Sequence, residues 1–301
     1  MTTGTHSLEG RVAIVTGAGK GLGRAYALGM ASLGARVVVN NRANHDPQDC
    51  PSADAVVAEI HAGGGEAVAN YDEVEKPDAG ESLVSAALSH FGRLDIVLSN
   101  AGIDRTRSFH KQPLEDFDEV VQINFHAVAR LLHAAWPHLR TAGYGRVLVS
   151  TSTAGLWGNH GQAAYSASKA ALLGLMKTLA IEGAPRGIRV NAIAPYAVTQ
   201  LTAPWFPEQS AARFSPESAA RLATWLVSEE CTLNGATLIA GADHVRLARS
   251  LETASLPLAG DIPALVGDLL NAPCDRAQAS ANAEFEDFVP VSYKHNRAHE
   301  T

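Results

Sequence analysis

Seven short apolar runs, rich in β-branched residues, alternate along the chain with longer alanine-rich segments that have a helical period. The runs are Arg11–Thr16, Ala35–Asn40, Glu66–Tyr71, Leu94–Ser99, Gly145–Ser150, Ile188–Ile193 and Ala236–Ala240. Strands that are apolar on both faces are typical of a parallel sheet covered by helices on each side. Because right-handed helical crossovers join such strands, the pattern predicts an α/β fold with a doubly wound, seven-stranded parallel sheet and helices on both faces.

The segments between these runs predict six helices. They lie near Gly21–Leu33, Ala53–Ala62, Asp78–Phe91, Leu114–Leu139, Gly161–Gly183 and Pro216–Ser228. From about Ala242 the alternation of strands and helices is lost. We therefore expect a single domain over residues 1–245 that holds the functional site. Residues 246–301 are expected to form a C-terminal extension that packs on the same or a neighbouring subunit.

Composition and charge restrict the class of protein. The 301 residues carry a formal net charge of -7, which argues against a nucleic-acid or acidic-membrane partner. The N-terminus lacks the features of a signal peptide, and no apolar run approaches the roughly 20 residues that span a bilayer. Cys50, Cys231 and Cys274 are far apart, which predicts reduced thiols and no metal site. We expect a cytoplasmic protein with a small-molecule substrate.

A glycine-rich turn, TGAGKGLG at residues 16–23, joins the first predicted strand directly to a helix. Glycines allow a tight turn and close approach of the backbone to a pyrophosphate, and the helix N-terminus offers free N–H groups and a positive dipole end. This turn lies in the first strand–helix–strand unit of a consistent alternation, as a Rossmann-type dinucleotide site requires. The cofactor contacts assigned to it are Gly17, Lys20, Gly21, Leu22 and Gly23.

The residues that close the second strand indicate which dinucleotide binds. An acidic side chain there favours the free 2′-hydroxyl of NAD, whereas a nearby base accommodates the 2′-phosphate of NADP. This chain has Asn41 and Arg42 without an acid, and Lys20 adds a second cation. The cofactor prediction therefore leans toward NADP over NAD. In the alternative interpretation both cations are solvated and Asn41 bonds the ribose of NAD.

The segment from Ser150 to Lys169 carries the candidate chemistry. Tyr165 and Lys169 lie four residues apart on a predicted helix, so their side chains share one face. A tyrosine with an ordinary pKa near 10 exchanges protons poorly at neutral pH, and a nearby ammonium lowers that pKa. Ser152, just past the fifth strand, could hydrogen-bond the same substrate oxygen. We predict Ser152, Tyr165 and Lys169 as catalytic residues.

This combination of turn, serine, tyrosine and lysine resembles the classical short-chain dehydrogenase/reductase family over about residues 8–245. The resemblance includes Asn100, Ala101 and Gly102 after the fourth strand, and Asn124. It implies that Tyr165 exchanges a proton with the substrate oxygen, that Ser152 stabilises that oxygen, and that Asn124 holds a water of the proton relay. It implies further that Lys169 binds the nicotinamide ribose. The cofactor contacts assigned beyond the turn are Asn41, Arg42, Glu73, Val74, Asn100, Ala101, Gly102, Tyr165, Lys169, Ala197, Val198 and Thr199.

One departure concerns the residues after the sixth strand. The family usually has proline-glycine there, and this chain has Pro195-Tyr196. Tyr196 is therefore expected to intrude near the nicotinamide or the substrate.

Within the family the chain most resembles (3R)-hydroxyacyl-CoA dehydrogenase units of peroxisomal multifunctional enzymes. Matching stretches include Gly21–Leu28, Ala67–Asp72, Gly158–Gln162 and Leu172–Gly183. The resemblance implies an NAD(P)-dependent oxidoreductase that interconverts a 3-hydroxyacyl and a 3-oxoacyl thioester. The alternatives are a steroid (17β-type) or other bulky secondary-alcohol dehydrogenase and, more remotely, a non-catalytic dinucleotide-sensing module.

Two surface features bear on these alternatives. A CoA ester predicts a basic patch at the mouth of the cleft, for which Arg105, Arg107 and Lys111 are candidates, although a solvated loop explains them equally well. The Gly161–Gly183 helix is apolar beyond the face that its own sheet needs. The residues concerned are Ala170, Ala171, Leu172, Leu175, Met176 and Leu179. This favours a homodimer or homotetramer, unless the chain's own tail covers the helix.

Overall fold

The computed structural model describes residues 7–43, 53–203, 213–258 and 260–288. Their strands in the first part of the chain are β1 (Val12–Val15), β2 (Arg36–Asn40), β3 (Ala67–Asn70), β4 (Ile96–Ser99), β5 (Gly145–Ser150), β6 (Ile188–Pro195), β7 (Thr237–Gly241) and β8 (His244–Ala248). The helices are α1 (Gly21–Ser32), α2 (Ala53–Ala62), α3 (Ala79–Phe91), α4 (Leu114–Val121), α5 (Ala127–Ala142), α6 (Thr153–Trp157), α7 (Ala163–Gly183) and α8 (Pro216–Leu226).

These eight strands form one sheet in the order β3-β2-β1-β4-β5-β6-β7-β8. Strands β1 to β7 are parallel, as the apolar runs predicted. The order reverses direction between β1 and β4, and ligands of doubly wound sheets bind at such a switch point. The candidate site is therefore expected at the carboxyl ends of these two strands.

The eighth strand corrects the prediction of a seven-stranded sheet. β8 pairs antiparallel with β7, with Gly241 opposite His244. Ala242 and Asp243 connect the two strands with φ angles of 50° and 59°, the left-handed conformation of a tight hairpin turn. This turn lacks the Asn-Gly or Gly-Gly signature that usually announces such a hairpin, so the sequence pattern did not reveal it. The sheet thus continues past residue 245.

Helices cover both faces of the sheet, and each face has its own apolar core. On one face α1, α2 and α8 contribute buried residues such as Met30, Ile60 and Leu226. On the other face α3, α5 and α7 contribute residues such as Leu83 and Leu132. The layers on both sides explain why the strands are apolar throughout rather than alternating.

Two helices differ from the predictions. The expected single helix Leu114–Leu139 is interrupted by a π-helical turn, Gln122–His126, between α4 and α5. The short helix α6 was not predicted. It begins at Thr153, and the preceding Ser152 caps it, since Ser152 Oγ accepts a hydrogen bond from the Ala154 N–H at 3.1 Å.

The apolar surface of α7 is smaller than the sequence suggested. Leu172 and Met176, which were expected to face outward, are buried in the core of the chain's own sheet. Leu175 and Leu179 are half-buried against the same core, whereas Ala170 is exposed. A helix that lies between the sheet and the neighbouring helices α4 and α6 needs apolar residues on more than one side.

The chain divides into two compact units, residues 1–248 and 249–301. The second unit contains β9 (Glu252–Thr253) and β10 (Cys274–Arg276), paired antiparallel, and the helices α9 (Ile262–Asn271) and α10 (Ala281–Phe288). None of the α9 side chains is buried. The packing of this extension on its own or a neighbouring subunit stays a prediction.

Cysteines, metal sites and membrane spans can be examined within the described ranges. Cys231 is buried and Cys274 exposed, both as free thiols, while Cys50 lies outside these ranges. The described side chains include no group of three or more His, Cys, Asp or Glu residues that could hold a metal ion. Among the helices described, none combines the length and hydropathy needed to cross a membrane.

Candidate active site

A cleft of about 900 Å³ lies at the carboxyl ends of the parallel strands. Most of the predicted site residues line it. They are Gly17, Lys20, Gly21, Leu22, Asn41, Arg42, Val74, Asn100, Ala101, Gly102, Ser152, Tyr165, Lys169, Ala197 and Thr199. The turn after β1 and the candidate catalytic residues after β5 thus share one cavity.

The glycine-rich turn is packed too closely for side chains. A Cβ on Gly23 would lie 2.1 Å from the carbonyl oxygen of Gly17, and a Cβ on Gly17 would lie 2.9 Å from the Cα of Ala101. Gly17 and Gly21 have φ angles of +63° and +54°, which glycine adopts at no steric cost. The backbone at the start of α1 can therefore come within hydrogen-bond reach of an anionic group. Gly23 serves this packing and does not itself line the cleft.

Asn100 and Ala101 fasten the turn to β4. Their backbone N–H groups donate to Thr16 Oγ1 at 3.0 and 3.1 Å, and Asn100 Nδ2 donates to the carbonyl oxygen of Thr16 at 3.2 Å. Gly102 comes next, and a Cβ there would lie 3.4 Å from Lys169 Nζ. The segment from Asn100 to Gly102 therefore lies between the turn after β1 and the Lys169 side chain of α7.

Ser152, Tyr165 and Lys169 meet at the side of the cleft formed by α6 and α7. Tyr165 is half-buried and the Lys169 side chain is buried. Lys169 Nζ lies 5.7 Å from the centre of the Tyr165 ring and donates to the carbonyl oxygen of Ser150 at 2.7 Å. The three side chains therefore form one polar group beside the glycine turn.

Burial governs the ionisation of this group. It raises the pKa of Tyr165 to about 12, against a lowering effect of the hydrogen bond with Ser152, and it lowers the pKa of Lys169 to about 8. The sequence predicted that Lys169 lowers the pKa of Tyr165 toward neutral pH. In the folded chain burial raises that pKa instead. The amine is itself destabilised as a cation and is directed at the Ser150 carbonyl. At neutral pH Tyr165 is a phenol, the form that donates a proton.

Asn124 lies in the π-helical turn and is fully buried. Its side-chain amide bonds both backbone groups of Ile103, with Oδ1 accepting and Nδ2 donating at 2.9 Å, and Nδ2 also lies 3.2 Å from Ser168 Oγ. The amide therefore holds the segment after Gly102 against α7. Its predicted water-binding role stays a prediction.

A comparison with known protein families agrees with the residues found in this cleft. Residues 11–210 match the family described as short chain dehydrogenase. The chain belongs to the short-chain dehydrogenase family. It is accordingly an oxidoreductase that uses a nicotinamide dinucleotide.

Several relatives are similar to this dehydrogenase. The peroxisomal multifunctional enzyme type 2 of mouse is 47% identical over 240 residues, which cover 79% of this chain but 32% of the mouse protein. A 3-oxoacyl-[acyl-carrier-protein] reductase of Synechocystis is 42% identical over 197 residues, covering 65% of this chain and 78% of the reductase. The crystal structure of a short chain dehydrogenase from Mycobacterium avium superposes with a TM-score of 0.77 at 34% identity, covering 90% of this chain and 98% of the other.

One end of the cleft lies beyond β2 and β3, where the sequence analysis predicted the cofactor contacts Asn41, Arg42 and Glu73. Asn41 packs against the turn, since a Cβ on Gly19 would lie 2.6 Å from its Cγ. The sequence interpretation assigned Glu73 to this end, but Glu73 pairs with Lys76 at 3.1 Å and is not among the residues that line the cleft. Asp72, one position earlier, lines it instead and accepts a hydrogen bond from Asn70 Nδ2 at 2.8 Å. The residue that lines this end of the cleft is therefore one position earlier in the sequence than predicted.

The region after β6 shows how the dehydrogenase departs from its family. Tyr196, at the place of the usual glycine, lines the cleft and donates from its hydroxyl to Thr153 Oγ1 at 3.2 Å. It therefore bridges from the end of β6 to the start of α6 along one wall. Val198, in contrast, is absent from the described lining; its N–H donates to the carbonyl oxygen of Phe214 at 2.8 Å.

Several other residues line the cleft that sequence reasoning did not single out. Trp157, at the end of α6, lines it with 72% of its surface exposed, and Leu201 lines it with 44% exposed. Asp104 and Gln162 also line it and are hydrogen-bonded to each other. Trp157 and Gln162 fall in the segment between Ser150 and Lys169 that had been singled out, but only the folded chain shows which of its side chains face the cavity.

Proposed function

We propose that the chain is an NADP-dependent dehydrogenase that interconverts a 3-oxoacyl thioester and its 3-hydroxyacyl form. The observation that carries this proposal is the meeting of Ser152, Tyr165 and Lys169 with the glycine turn in one cleft. When bound, the dinucleotide supplies or accepts the hydride. The protein's own residues then have to orient the carbonyl and move one proton.

In the reductive direction Tyr165 provides that proton. As hydride reaches the carbonyl carbon, negative charge develops on its oxygen, and the Tyr165 hydroxyl donates its proton to that oxygen. The Ser152 hydroxyl stabilises the same oxygen by a hydrogen bond whose donor is already in place, because the capping position at α6 fixes the Ser152 side chain. Oxidation reverses these steps and requires the ionised form of Tyr165.

Support for a thioester substrate comes from the relatives and from the mouth of the cleft. The Synechocystis relative is named as a 3-oxoacyl-[acyl-carrier-protein] reductase. Trp157 and Leu201 offer exposed apolar surface along the cleft to an acyl chain. Arg105, Arg107 and Lys111 are not among the residues that line the cleft. Arg105 is paired with Glu119 at 3.0 Å, so the exposed Arg107 and Lys111 are the candidates for holding a CoA phosphate outside the cleft.

Steady-state rates with acetoacetyl-CoA and with a 17-keto steroid test this substrate class. We expect turnover with the thioester, and a KM that rises about tenfold in an Arg107→Ala/Lys111→Ala variant because charge-assisted contacts to phosphate are lost. The same variant should leave the KM of acetoacetyl-N-acetylcysteamine, which lacks the nucleotide phosphates, unchanged. Arg140→Ala, an exposed cation at the end of α5, is the matched control. Turnover of the steroid alone would refute the thioester proposal.

Support for NADP over NAD comes from the side chains at the end of β2. Asn41 packs on the glycine turn, Arg42 and Lys20 line the same end of the cleft, and Asn41 stands where NAD-specific sites carry an acid. We expect Arg42→Ala to raise the KM for NADPH about tenfold or more and to leave that for NADH nearly unchanged. Equal effects on both cofactors would contradict the NADP preference.

We further propose that the enzyme works as a homodimer or homotetramer in the cytoplasm, without a nucleic-acid or membrane partner. The exposed Ala170, Gly174 and Ile181 on α7 and the net charge of -7 support this proposal. Sedimentation velocity of the wild type and of Ile181→Glu tests the assembly. A monomer in both proteins would refute it.

A further inference from the structure

The helix that fixes Ser152 is too short to be stable by itself. α6 has five residues, and isolated helices shorter than about 12 residues are marginal in water. Ser152 is the residue that caps α6, so the place of its hydroxyl follows the first turn of this helix. The contacts that hold α6 in the folded chain therefore also determine where the Ser152 hydroxyl lies.

α6 is attached to the catalytic helix α7 at a single residue. A Cβ on Gly155 would lie 2.7 Å from the carbonyl carbon of Lys169, so the two backbones are in close contact there. Just before α6, Thr151 Oγ1 donates to the carbonyl oxygen of the same Lys169 at 2.8 Å. Because both contacts converge on one residue of α7, they fix the separation of the two helices better than the direction of the first turn of α6.

Tyr196 supplies a second attachment, which comes from the sheet. Its N–H donates to the carbonyl oxygen of Ala240 at 2.7 Å, and a Cβ on Gly241 would lie 2.6 Å from the Tyr196 Cβ, so the base of the side chain is held against β7. At the other end of the side chain, the hydroxyl donates to Thr153 Oγ1 at 3.2 Å. Thr153 is the first residue of α6 and directly follows Ser152.

The tyrosine therefore reaches from the sheet to the turn that carries Ser152. The glycine that the family usually has at this position offers no side chain for such a contact. The departure from the family pattern thus adds an attachment to α6 as well as bulk to the wall of the cleft.

We propose that Tyr196 is a positioning residue, which keeps the Ser152 hydroxyl in place for the substrate oxygen by holding the first turn of α6 through Thr153. Stabilisation of a developing negative charge depends on a donor that is in position before the reaction, and small displacements of such a donor lower the rate. Loss of the attachment should therefore lower kcat and leave the KM of the substrate nearly unchanged. This inference rests on the proposed function, in which Ser152 stabilises that oxygen.

The test begins with Tyr196→Phe, which keeps the ring and removes the hydroxyl. We expect kcat for the reduction of acetoacetyl-CoA by NADPH to fall about three- to tenfold, as for the net loss of one hydrogen bond, with KM within about twofold of the wild type. Thr153→Val removes the acceptor and should have the same effect, which keeps the test available if Tyr196→Phe folds poorly. Thr153→Ser retains the hydroxyl and should stay within about twofold of the wild-type kcat.

Tyr144→Phe is the matched control. It removes a tyrosine hydroxyl that donates to the carbonyl oxygen of Val227 at 3.3 Å and does not belong to a residue lining the cleft. This variant should keep the wild-type kcat and KM.

Two combined variants distinguish positioning of Ser152 from a general effect on the cleft. Tyr196→Phe/Thr153→Val should be no slower than either single variant, because both changes remove the same hydrogen bond. In a Ser152→Ala background, assayed at high enzyme concentration, Tyr196→Phe should change kcat by less than about twofold, because the hydroxyl that it positions is already absent.

An unchanged kcat in both Tyr196→Phe and Thr153→Val would overturn the inference. An equal fall in kcat with and without the Ser152 hydroxyl would also overturn it, since Tyr196 would then act independently of Ser152. Wild-type turnover in Ser152→Ala itself would instead overturn the proposed function. The two failures are therefore distinguishable.

Discussion

Lys169 places an amine in the interior, and its ionisation should oppose folding. The side chain is 4% exposed, and burial lowers its pKa from 10.5 to about 8. Between these two values the unfolded chain binds a proton that the folded chain does not. Stability should therefore rise with pH across this window, and the charged amine should cost about 3 kcal/mol at pH 7.

Replacement of this amine by an apolar side chain of similar length tests that value. The free energy of unfolding of the wild type should increase by about 2 kcal/mol between pH 7 and pH 9.5, and this increase should be absent in Lys169→Met. At pH 7 removal of the buried charge stabilises the variant, but loss of the hydrogen bond to the Ser150 carbonyl destabilises it. The pH dependence of stability is therefore more informative than the stability at one pH. Turnover should nevertheless be lost, since Lys169 lies beside Tyr165 in the cleft.

Urea unfolding at fixed protein concentration and at several pH values measures these free energies. Lys177→Met, on an exposed position of the same helix, controls for the general effect of replacing a lysine and should keep the wild-type pH dependence. Parallel dependences of the unfolding free energy on pH for the wild type and Lys169→Met would mean that the amine ionises in the folded protein as it does in water, contrary to the effect of its burial.

Three further changes have defined outcomes. Gly23→Ala introduces a Cβ 2.1 Å from the Gly17 carbonyl oxygen, so dinucleotide affinity measured by fluorescence titration should fall at least about tenfold; unchanged affinity would contradict the packing. Asp95→Ala should cost about 3 to 5 kcal/mol in urea unfolding, since this buried carboxylate bonds Arg11, Arg93 and the Val12 N–H; a loss under 1 kcal/mol would contradict it. Tyr196→Gly should lower the KM of bulky ketones relative to the KM of acetoacetyl-CoA. An unchanged ratio of the two KM values would contradict the position of Tyr196 in the cleft wall.

Much of the fold could be predicted because its signals are local. The seven parallel strands are apolar on both faces, and glycines mark the turn after β1, so the order of elements follows from the pattern. The β7–β8 hairpin could not be predicted from the sequence because Ala242 and Asp243 adopt left-handed conformations, which glycine usually provides. The π-helical turn at Asn124 could not be predicted either, because the spacing of apolar residues on both sides of it fits an ordinary α-helix.

The site was predictable to the extent that motifs carry it. Ser152, Tyr165 and Lys169 were found from their spacing, whereas Asp104 was not, because its relation to Gln162 joins residues 58 positions apart. The ionisation of Tyr165 also differed from expectation. A sequence shows that a lysine is near, but whether burial or charge prevails depends on how deeply both side chains lie.

The proposed function depends on proton transfer by Tyr165 in the dinucleotide cleft. The turnover number of Tyr165→Phe with acetoacetyl-CoA and NADPH, measured beside the dissociation constant of NADPH, tests this step. We expect turnover to fall at least about 10³-fold, with a dissociation constant within about twofold of the wild type. Turnover near the wild-type value would contradict it and place the proton donor elsewhere.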